Sequence, residues 1–313
     1  MMKKITPTAL SAYSLTAGAG LNDAFILLAV TSDRRLKDDP EDDHSYLVSA
    51  GQGQYQIDDV PFSVRSQASV SKPEPGIVSL NYLGGVAFDK VSGEGFLEDK
   101  VGEASGKKVF GRTVLNQVRS IDGFAYAVGT HRAVYCRREK QRWSVMDRGT
   151  FDDDDFDCGF DSIHGFSAKD IYAAGEGGEI WQYDGSKWRQ RETGTNVYLH
   201  SVLCASDGVV YAAGACGTIL TGRADQWTRL KSIPRRLEFW SIEEFRGRIF
   251  AAASTSLLFE LKDGKLELVD FGECPIPTSV HHLFTTETSL YALGSKHLRR
   301  FDGSEWHELL TLD

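Results

Sequence analysis

The sequence has no long hydrophobic run and little proline, and these shortages exclude several classes of protein. Its 313 residues include 8 prolines but 31 glycines, which fits many short turns better than extended disordered linkers. The apolar segment Phe25 to Val30 is too short to span a bilayer. The first twenty residues contain two lysines but no continuous apolar stretch. We therefore expect no secretory signal, no membrane segment and a cytoplasmic location.

Positive charge is scarce relative to negative charge. The chain carries 35 Lys and Arg residues against 44 Asp and Glu residues, a formal net charge of −9. Such a balance disfavours nonspecific binding to the phosphates of nucleic acids. It favours a protein partner with a basic or neutral surface.

Cysteine is present in an odd number and without the close spacing of a zinc site. Cys204 and Cys216 lie within one stretch of about a dozen residues and are the pair most able to approach each other. We expect reduced, buried thiols, as is usual inside cells. The five positions are Cys136, Cys158, Cys204, Cys216 and Cys274.

Motifs of the common enzyme classes are missing as well. The sequence has no Gly-x-Ser-x-Gly nucleophile elbow, no P-loop and no dinucleotide fingerprint. The glycines of GEGGEI (175–180) lie between predicted strands, so they cannot hold a phosphate at a helix start. No stretch has the period of a long amphipathic helix, which excludes a parallel βα fold. We expect no enzymatic activity and no cofactor.

An internal repeat is the dominant feature that the sequence does contain. Residues 160–194, FDSIHGFSAKDIYAAGEGGEIWQYDGSKWRQRETG, are followed at 199–232 by LHSVLCASDGVVYAAGACGTILTGRADQWTRLKS. Each copy contains four short apolar segments separated by turn residues. A period near 40 residues with four strands per unit is typical of a β-propeller, in which each unit is one blade.

Two columns of the repeat fix its register. The residues that open the second strand are Tyr126, Tyr172, Tyr211, Phe250 and Tyr291. The corresponding fourth-strand residues are Trp143, Trp188, Trp227, Leu266 and Trp306. Leu266 keeps this second column apolar. We therefore expect the residues of the column to pack between neighbouring blades. A third column consists of the glycines Gly129, Gly175, Gly214 and Gly294, which we expect at turns or bulges that need a positive φ.

These columns predict an all-β protein, a single β-propeller domain over residues 1–313 with four-stranded antiparallel blades. Residues 112–313 supply five regular blades, with an acidic insertion at 150–159. Residues 1–111 are more divergent and contain a charged loop at 33–43. Seven blades follow if this part forms two more; six is the alternative if the first 60 residues only decorate the ring.

The repeat also resembles a known group of proteins. The phrase SAKDIYAAGEGGEIWQYDGSKW is similar to repeats of bacterial propellers related to the photosystem II stability and assembly factor, and of the wider BNR and WD40-like groups. The resemblance covers about residues 112–313. It implies the fold but no particular role, because such repeats serve many kinds of binding protein. In YDGSKW and FDGSEW the Asp-Gly precedes the Ser, unlike a sialidase Asp box. We interpret both as hairpin turns, which argues against glycosidase activity.

One column of polar and aromatic residues precedes the apolar residues of the predicted first strands. We expect it to line an axial pocket at the mouth of the central channel, with His164 and His282 nearby. Three histidines and an aspartate would suit a metal if they converged, but we expect channel residues bound by water and backbone, and no metal. The column consists of Asn116, Asp161, His200, Trp240 and His281.

Two acidic segments are candidates for protein binding. In the segment 152–157 a calcium loop is the alternative, but Gly159 falls one place late and His164 stands where a chelating Glu is needed. A solvated loop is the other alternative. We predict that both segments steer and contact a cationic partner. Their acidic residues are Asp152, Asp153, Asp154, Asp155 and Asp157 in one, and Asp38, Asp39, Glu41, Asp42 and Asp43 in the other.

These observations favour a non-enzymatic propeller that binds another protein. A narrower hypothesis is an immunity protein that neutralises a secreted bacterial toxin, because a stand-alone acidic propeller without targeting signals suits that role. The alternatives are a glycan- or small-ligand-binding protein or an enzyme that uses the axial pocket, and a scaffold or assembly factor.

Overall fold

Seven antiparallel sheets form the ring of a β-propeller. The computed structural model describes residues 3–5, 10–34, 44–51, 54–92, 94–101, 114–150, 158–231, 233–254 and 256–312. The prediction of seven four-stranded blades is confirmed, and the six-blade alternative is wrong. Residues before 60 do not decorate the ring, because they form a complete blade.

The first two blades come from the divergent part of the sequence. Blade 1 consists of β2 (Tyr13–Asn22), β3 (Phe25–Ser32), β4 (Ser45–Gly51) and β5 (Gln54–Val60), with β1 (Lys3–Ile5) paired along the outer edge of β5. Blade 2 consists of β6 (Val64–Val70), β7 (Gly76–Asn81), β8 (Val86–Lys90) and β9 (Gly95–Glu98).

The five regular blades follow in chain order. Blade 3 consists of β10 (Leu115–Ile121), β11 (Phe124–Gly129), β12 (Val134–Glu139) and β13 (Arg142–Val145). Blade 4 consists of β14 (Phe160–Ser167), β15 (Asp170–Gly175), β16 (Ile180–Tyr183) and β17 (Trp188–Arg191), with a short 3₁₀ turn at Glu176–Gly178. Blade 5 consists of β18 (Leu199–Cys204), β19 (Val210–Gly214), β20 (Thr218–Arg223) and β21 (Gln226–Arg229).

The last two blades complete the ring. Blade 6 consists of β22 (Phe239–Phe245), β23 (Arg248–Ala253), β24 (Leu257–Lys262) and β25 (Lys265–Leu268). Blade 7 consists of β26 (His282–Thr285), β27 (Leu290–Leu293), β28 (His297–Phe301) and β29 (Trp306–Thr311). In the part of the chain described, no helix is long and apolar enough to cross a membrane.

The hydrophobic core lies between the blades. Each cluster of buried residues combines two neighbouring sheets, which keeps apolar faces on both sides of a blade covered. Trp188 of blade 4 packs on Phe160, and its indole N–H donates to the carbonyl of Met146 at 2.8 Å. Trp143 and Trp306 are buried in the corresponding clusters. The fourth-strand column is therefore a packing column, as the sequence predicted.

The turns YDGSKW and FDGSEW are hairpin turns between the third and fourth strands. The Asp184 carboxylate accepts hydrogen bonds from the backbone N–H groups of Ser186 and Lys187, both at 3.0 Å. Asp302 accepts the same pair of bonds in blade 7. The intervening Gly185 and Gly303 have φ values of 91° and 107°, which glycine adopts most readily.

The glycine column at the end of the second strands has a different cause from the one predicted. Gly129, Gly175, Gly214 and Gly294 are absent from the positive-φ residues of the structure, so the prediction is wrong. A Cβ on Gly175 would overlap the carbonyl oxygen of Gly159. That carbonyl accepts a hydrogen bond from Glu176 N–H at 3.1 Å. Glycine is needed because the chain entering the next first strand approaches this closely.

Side chains on the innermost strands bind one blade to the next. Ser162 Oγ of blade 4 accepts a hydrogen bond from the backbone N–H of Val202 in blade 5 at 3.0 Å. The same kind of bond occurs around much of the ring. It joins Ser66 to Val118, Gln117 to Ile163, Ser201 to Ile242 and Ser241 to Leu283.

Blade 1 closes the ring by packing directly on blade 7. Asp23, in the turn between β2 and β3, accepts hydrogen bonds from four side chains of blade 7. Burial by itself raises the pKa of Asp23, but these bonds outweigh it and lower the pKa to about 2. At the other end of the strands, Lys296 Nζ donates to Asp33 Oδ2 at 2.5 Å. The four donors to Asp23 are Thr286, Thr288, Ser289 and Tyr291.

Candidate functional site

The two faces of the ring carry different connections. We call the face on which the innermost strands begin the upper face. The pairing of Leu115 with Gly129 places the start of β10 beside the end of β11. The loops between second and third strands and the connections between blades therefore lie on the upper face. The tight turns after the first and third strands lie on the opposite, lower face.

A ring of side chains surrounds the mouth of the central channel on the upper face. In six blades the pairing of the first two strands shifts by one residue near the start of the first strand. The residue at each shift is a β-bulge, which directs its side chain away from the ladder. In blade 7 the equivalent residue directly precedes β26. We call these residues the mouth ring: Thr16, Arg65, Asn116, Asp161, His200, Trp240 and His281.

The five predicted axial-pocket residues are thus the mouth-ring members of five successive blades, and four of them form a continuous chain of contacts. Asn116 Nδ2 donates to Asp161 Oδ1 at 3.1 Å. Asp161 Oδ2 lies 3.2 Å from His200 Nδ1. The His200 ring stacks on Trp240 with centroids 4.7 Å apart.

The fifth predicted residue, His281, is held separately. Its backbone N–H donates to the carbonyl of Leu293 at 2.9 Å. Burial lowers the pKa of its imidazole, although a hydrogen bond to the Thr16 backbone raises it in part. His281 therefore belongs to the mouth ring without joining the chain from Asn116 to Trp240.

Sequence reasoning missed Thr16 and Arg65, which are the mouth-ring members of the divergent blades. A three-residue pattern could have located these positions. It consists of an apolar residue, a residue of any type and then Ser or Gln. It occurs in Phe160-Asp161-Ser162 and in Val64-Arg65-Ser66. The Ser or Gln of this pattern forms the blade-to-blade bonds described above, so its position is fixed by the ring and would have located Arg65.

Two inter-blade connections add residues that the repeat did not indicate. Tyr198 precedes β18; its ring stacks on His200 at 4.7 Å and its hydroxyl donates to Asp161 Oδ1 at 2.9 Å. Glu238 precedes β22, and its Oε1 lies 3.0 Å from His200 Nε2. His200 is thus enclosed by two aromatic rings and two carboxylates. We call this set, with Glu176 beside Tyr198, the acidic-aromatic patch: Asp161, Glu176, Tyr198, His200, Glu238 and Trp240.

The electrostatics of the patch favour a protonated imidazole at its centre. Burial lowers the pKa of His200, but the hydrogen bonds and charges of Asp161 and Glu238 outweigh burial, so that the pKa lies above its usual value. Burial and the nearby Asp161 and Glu176 raise the pKa of the Tyr198 hydroxyl, which keeps it a neutral donor.

Below the mouth, the channel is crossed by an ion pair. Arg119 Nη2 of blade 3 lies 2.6 Å from Glu243 Oε2 of blade 6. The cavity around this pair has a volume of about 210 Å³, below the roughly 300–1,000 Å³ of ordinary ligand pockets. His164 and His282 line this cavity, and burial lowers the pKa of both. Within the described residues, no three His, Cys, Asp or Glu side chains converge to hold a metal.

Exposed apolar side chains occur on the same upper face. Trp240 is 41% exposed at the mouth. Tyr82 and Leu83, in the loop between β7 and β8, are 38% and 53% exposed, and Ile276, in the connection to blade 7, is 74% exposed. Together they give the upper face the exposed aromatic and aliphatic groups common at the centre of protein interfaces.

The two acidic segments lie outside the described residues. This applies to Asp152, Asp153, Asp154, Asp155 and Asp157, and to Asp38, Asp39, Glu41, Asp42 and Asp43. The residues that flank them are described and lie at the upper face. Thr150 Oγ1 donates to the carbonyl of Arg132, and Asp33 is bound by Lys296.

No disulfide joins the five cysteines, all of which lie in described residues. Four of them are buried, as expected. Cys216 is exposed, so the expectation of a buried thiol is wrong there. It lies in the loop between β19 and β20, where its backbone has a φ of 53°. Cys216 is therefore outside the paired strands, whereas Cys204 lies within β18 and is buried.

The architecture defines a seven-bladed β-propeller, whose fold resembles those of YCF48 and WD40 propellers. YCF48 from Cyanidioschyzon merolae has a TM-score of 0.66 at 11% identity, covering 95% of this chain and 97% of that chain. YCF48 bound to a D1 peptide has a TM-score of 0.63 at 12% identity, covering 94% and 92%. The WD40 propeller of Doa1 has a TM-score of 0.67 at 10% identity, covering 93% of each chain. These similarities establish the fold alone.

A closer relationship exists in sequence. The chain is 32% identical over 313 residues to immune protein Tsi7 of Pseudomonas aeruginosa, covering 98% of this chain and 99% of that protein. The chain belongs to the family of this immune protein, which confirms at family level the prediction of a propeller immunity protein. No protein-family model matches the sequence.

Proposed function

We propose that the protein is an immunity protein that binds a toxin protein through the upper face of its propeller and so neutralises it. The observation that carries this proposal is the full-length relationship to immune protein Tsi7. Because the match covers nearly the whole of both chains, we assign the binding function to the complete propeller.

The choice of the upper face rests on its surface. Trp240, Tyr82 and Ile276 are all exposed there, and binding energy in protein interfaces is concentrated at a few large side chains of this kind. The flanks of both acidic segments lie on the same face. A rigid ring with variable loops on one face suits recognition and needs no catalytic group.

The proposed partner surface is basic or neutral. The net charge of −9 raises the rate of association with a cationic protein and opposes binding to nucleic acid. The exposed carboxylates at the channel mouth add to this preference. A ligand held in the axial channel is disfavoured, because the Arg119–Glu243 pair occupies it.

The proposed site of action is the cytoplasm, and the proposed mode of action is binding without a cofactor. Free thiols on all five cysteines are compatible with a reducing compartment. Neutralisation by binding requires that the complex outlast the toxin's encounter with its target, and it needs no catalytic group in this chain.

The test is capture followed by rescue of growth. A tagged form of the chain is used to isolate a stoichiometric partner from native lysate, and the gene for that partner is then expressed in a bacterial host. We expect the partner to stop growth and co-expression of this chain to restore it. A partner that is harmless on its own would contradict the immunity proposal and favour the scaffold alternative.

A further inference from the structure

We propose that the acidic-aromatic patch receives a single Lys or Arg side chain of the partner protein. This inference rests on the proposed function and names the chemistry of its central contact. The patch combines an exposed indole with carboxylates around a channel mouth, which is a combination that recognises a cation and its attached alkyl chain.

The indole of Trp240 is held in a fixed position. Its Nε1–H donates to the carbonyl of Ser254 at 3.1 Å, and His200 stacks against one face of the ring. The residue remains 41% exposed, so part of the ring is open to a partner. The quadrupole of an indole attracts a cation placed over its face, and a ring already fixed loses little entropy on binding.

The carboxylates of the patch have more negative charge than the patch itself neutralises. Among the described residues, His200 is the ion-pair partner of both Asp161 and Glu238. One imidazolium cannot balance these two carboxylates. The Glu238 side chain is 42% exposed, so it can turn one oxygen to a partner while keeping its bond to His200.

Other carboxylates on the upper face differ in this respect. Glu179 is bound in bidentate fashion by Arg132, with both distances near 2.7 Å or below. Asp33 is bound by Lys296. Each of these acids has its own Lys or Arg within the chain. In the patch, by contrast, the ion-pair partner of Asp161 and Glu238 among the described residues is an imidazole, and the exposed ring of Trp240 lies against it.

The depth of the site is set by the channel below it. The Arg119–Glu243 pair spans the channel, and Arg119 repels a second cation that would enter further. A partner's side chain therefore ends at the mouth, beside Glu238 and Trp240. This geometry favours one long cationic side chain over a folded loop inserted into the channel.

The first experiment tests the patch without the partner. The probe is Nα-acetyl-argininamide, with Nα-acetyl-glutaminamide as the neutral control, and the readout is the indole N–H resonance of Trp240 in an NMR titration. Trp240→Phe assigns the resonance. We expect a saturable shift with the arginine compound that is at least several-fold weaker in Glu238→Gln. Equal responses to both compounds would overturn the proposal.

The second experiment uses the toxin captured as described above. We expect Trp240→Ala to weaken its binding more than tenfold and Glu238→Gln to weaken it about threefold to tenfold. The matched controls are Val91→Ala and Glu305→Gln, which remove an exposed apolar group and an exposed carboxylate elsewhere and should leave affinity unchanged. Unchanged affinity for a folded Trp240→Ala, checked by its melting temperature, would overturn the proposal.

A charge swap identifies the partner's residue and separates the two proposals. Glu238→Lys should abolish binding, and one Lys→Glu or Arg→Glu change in the toxin should restore it. If the wild-type chain rescues growth but no such change restores binding, the patch proposal fails while the immunity proposal stands. If no toxin is captured, the immunity proposal fails and the probe titration still decides the patch.

Discussion

At the scale of the residue, the glycines of this chain meet two different physical requirements. Gly185 and Gly303 provide positive φ in hairpin turns. Gly175 instead leaves room for the carbonyl of Gly159, which a Cβ would overlap. The sequence identifies both as glycine positions, but it does not contain the distance between two chain segments that meet only in the ring.

Substitution of Gly175 tests this distinction. We expect Gly175→Ala to lower the free energy of unfolding by about 2–3 kcal/mol, because backbone and not a flexible side chain must move. Gly194→Ala is the control, since Gly194 has a φ of 70° with open space around it and should cost only about 1 kcal/mol of backbone strain. Urea denaturation of both variants measures the difference; equal losses would show that close approach is not the reason for glycine.

The mouth ring shows how much of a site a repeat can reveal at this scale. Asn116, Asp161, His200 and Trp240 were found together because they occupy one register position in successive blades. Tyr198 and Glu238 were not, because they lie in inter-blade connections, where residues follow no repeat. The contacts of Tyr198 with Asp161 and of Glu238 with His200 join neighbouring blades. They depend on the angle between blades, which no period in the sequence specifies.

At the scale of the element, closure of the ring depends on a joint between the two ends of the chain. Each blade is made of four consecutive strands, so no strand is exchanged between blades 1 and 7. Packing of apolar groups and several polar contacts, among them those at Asp23 and at Lys296, hold the joint instead. The sequence does not specify how the ring closes, because the hydrogen-bond partners of Asp23 are more than 260 residues away.

Acid should weaken this joint. Asp23 has a pKa of about 2 in the folded chain, against an ordinary value of 3.8. A lowered pKa stabilises the fold above the ordinary value, and this stabilisation is lost as the pH falls from about 4 to about 2. We expect Asp23→Asn to lose about 2 kcal/mol at pH 7 and to show a smaller loss of stability over that acid range.

Melting temperatures from pH 7 down to pH 2 check this expectation. The control is Asp225→Asn, because Asp225 pairs with Arg191 while its side chain is 80% exposed, and an exposed pair contributes little. A variant at Asp23 that melts like the wild type at every pH would show that the hydrogen bonds of Asp23 do not stabilise the closed ring.

At the scale of the whole molecule, the fold follows from the sequence with few additions. The regular blades were predictable because one period of about 40 residues recurs with fixed apolar columns. The repeat did not fix blade 1, because β2 to β5 lack the aromatic and tryptophan columns, although Phe25–Ser32 reads as a buried strand. The role of each face was not predictable, since it depends on which loops the closed ring places together.

The acidic segments belong to this scale, because their effect is on the field of the molecule. We expect reversal of the charges at Asp152, Asp153, Asp154 and Asp155 to Lys to slow association with the captured toxin about tenfold at low salt. The difference should shrink above about 0.3 M salt, where charges are screened over a few ångströms. Stopped-flow measurements of the association rate test this expectation. Association rates that are unchanged at low salt would show that these residues do not steer the toxin.

Hydrogen–deuterium exchange of the chain with and without its captured toxin tests the central claim most directly, because it reports every loop of both faces in one measurement. The upper-face binding account predicts slower exchange on complex formation at the connections around Tyr198 and Glu238 and at the loop containing Tyr82. It predicts unchanged exchange at the lower-face turns that contain Gly123 and Gly247. Protection confined to those lower-face turns would contradict the account.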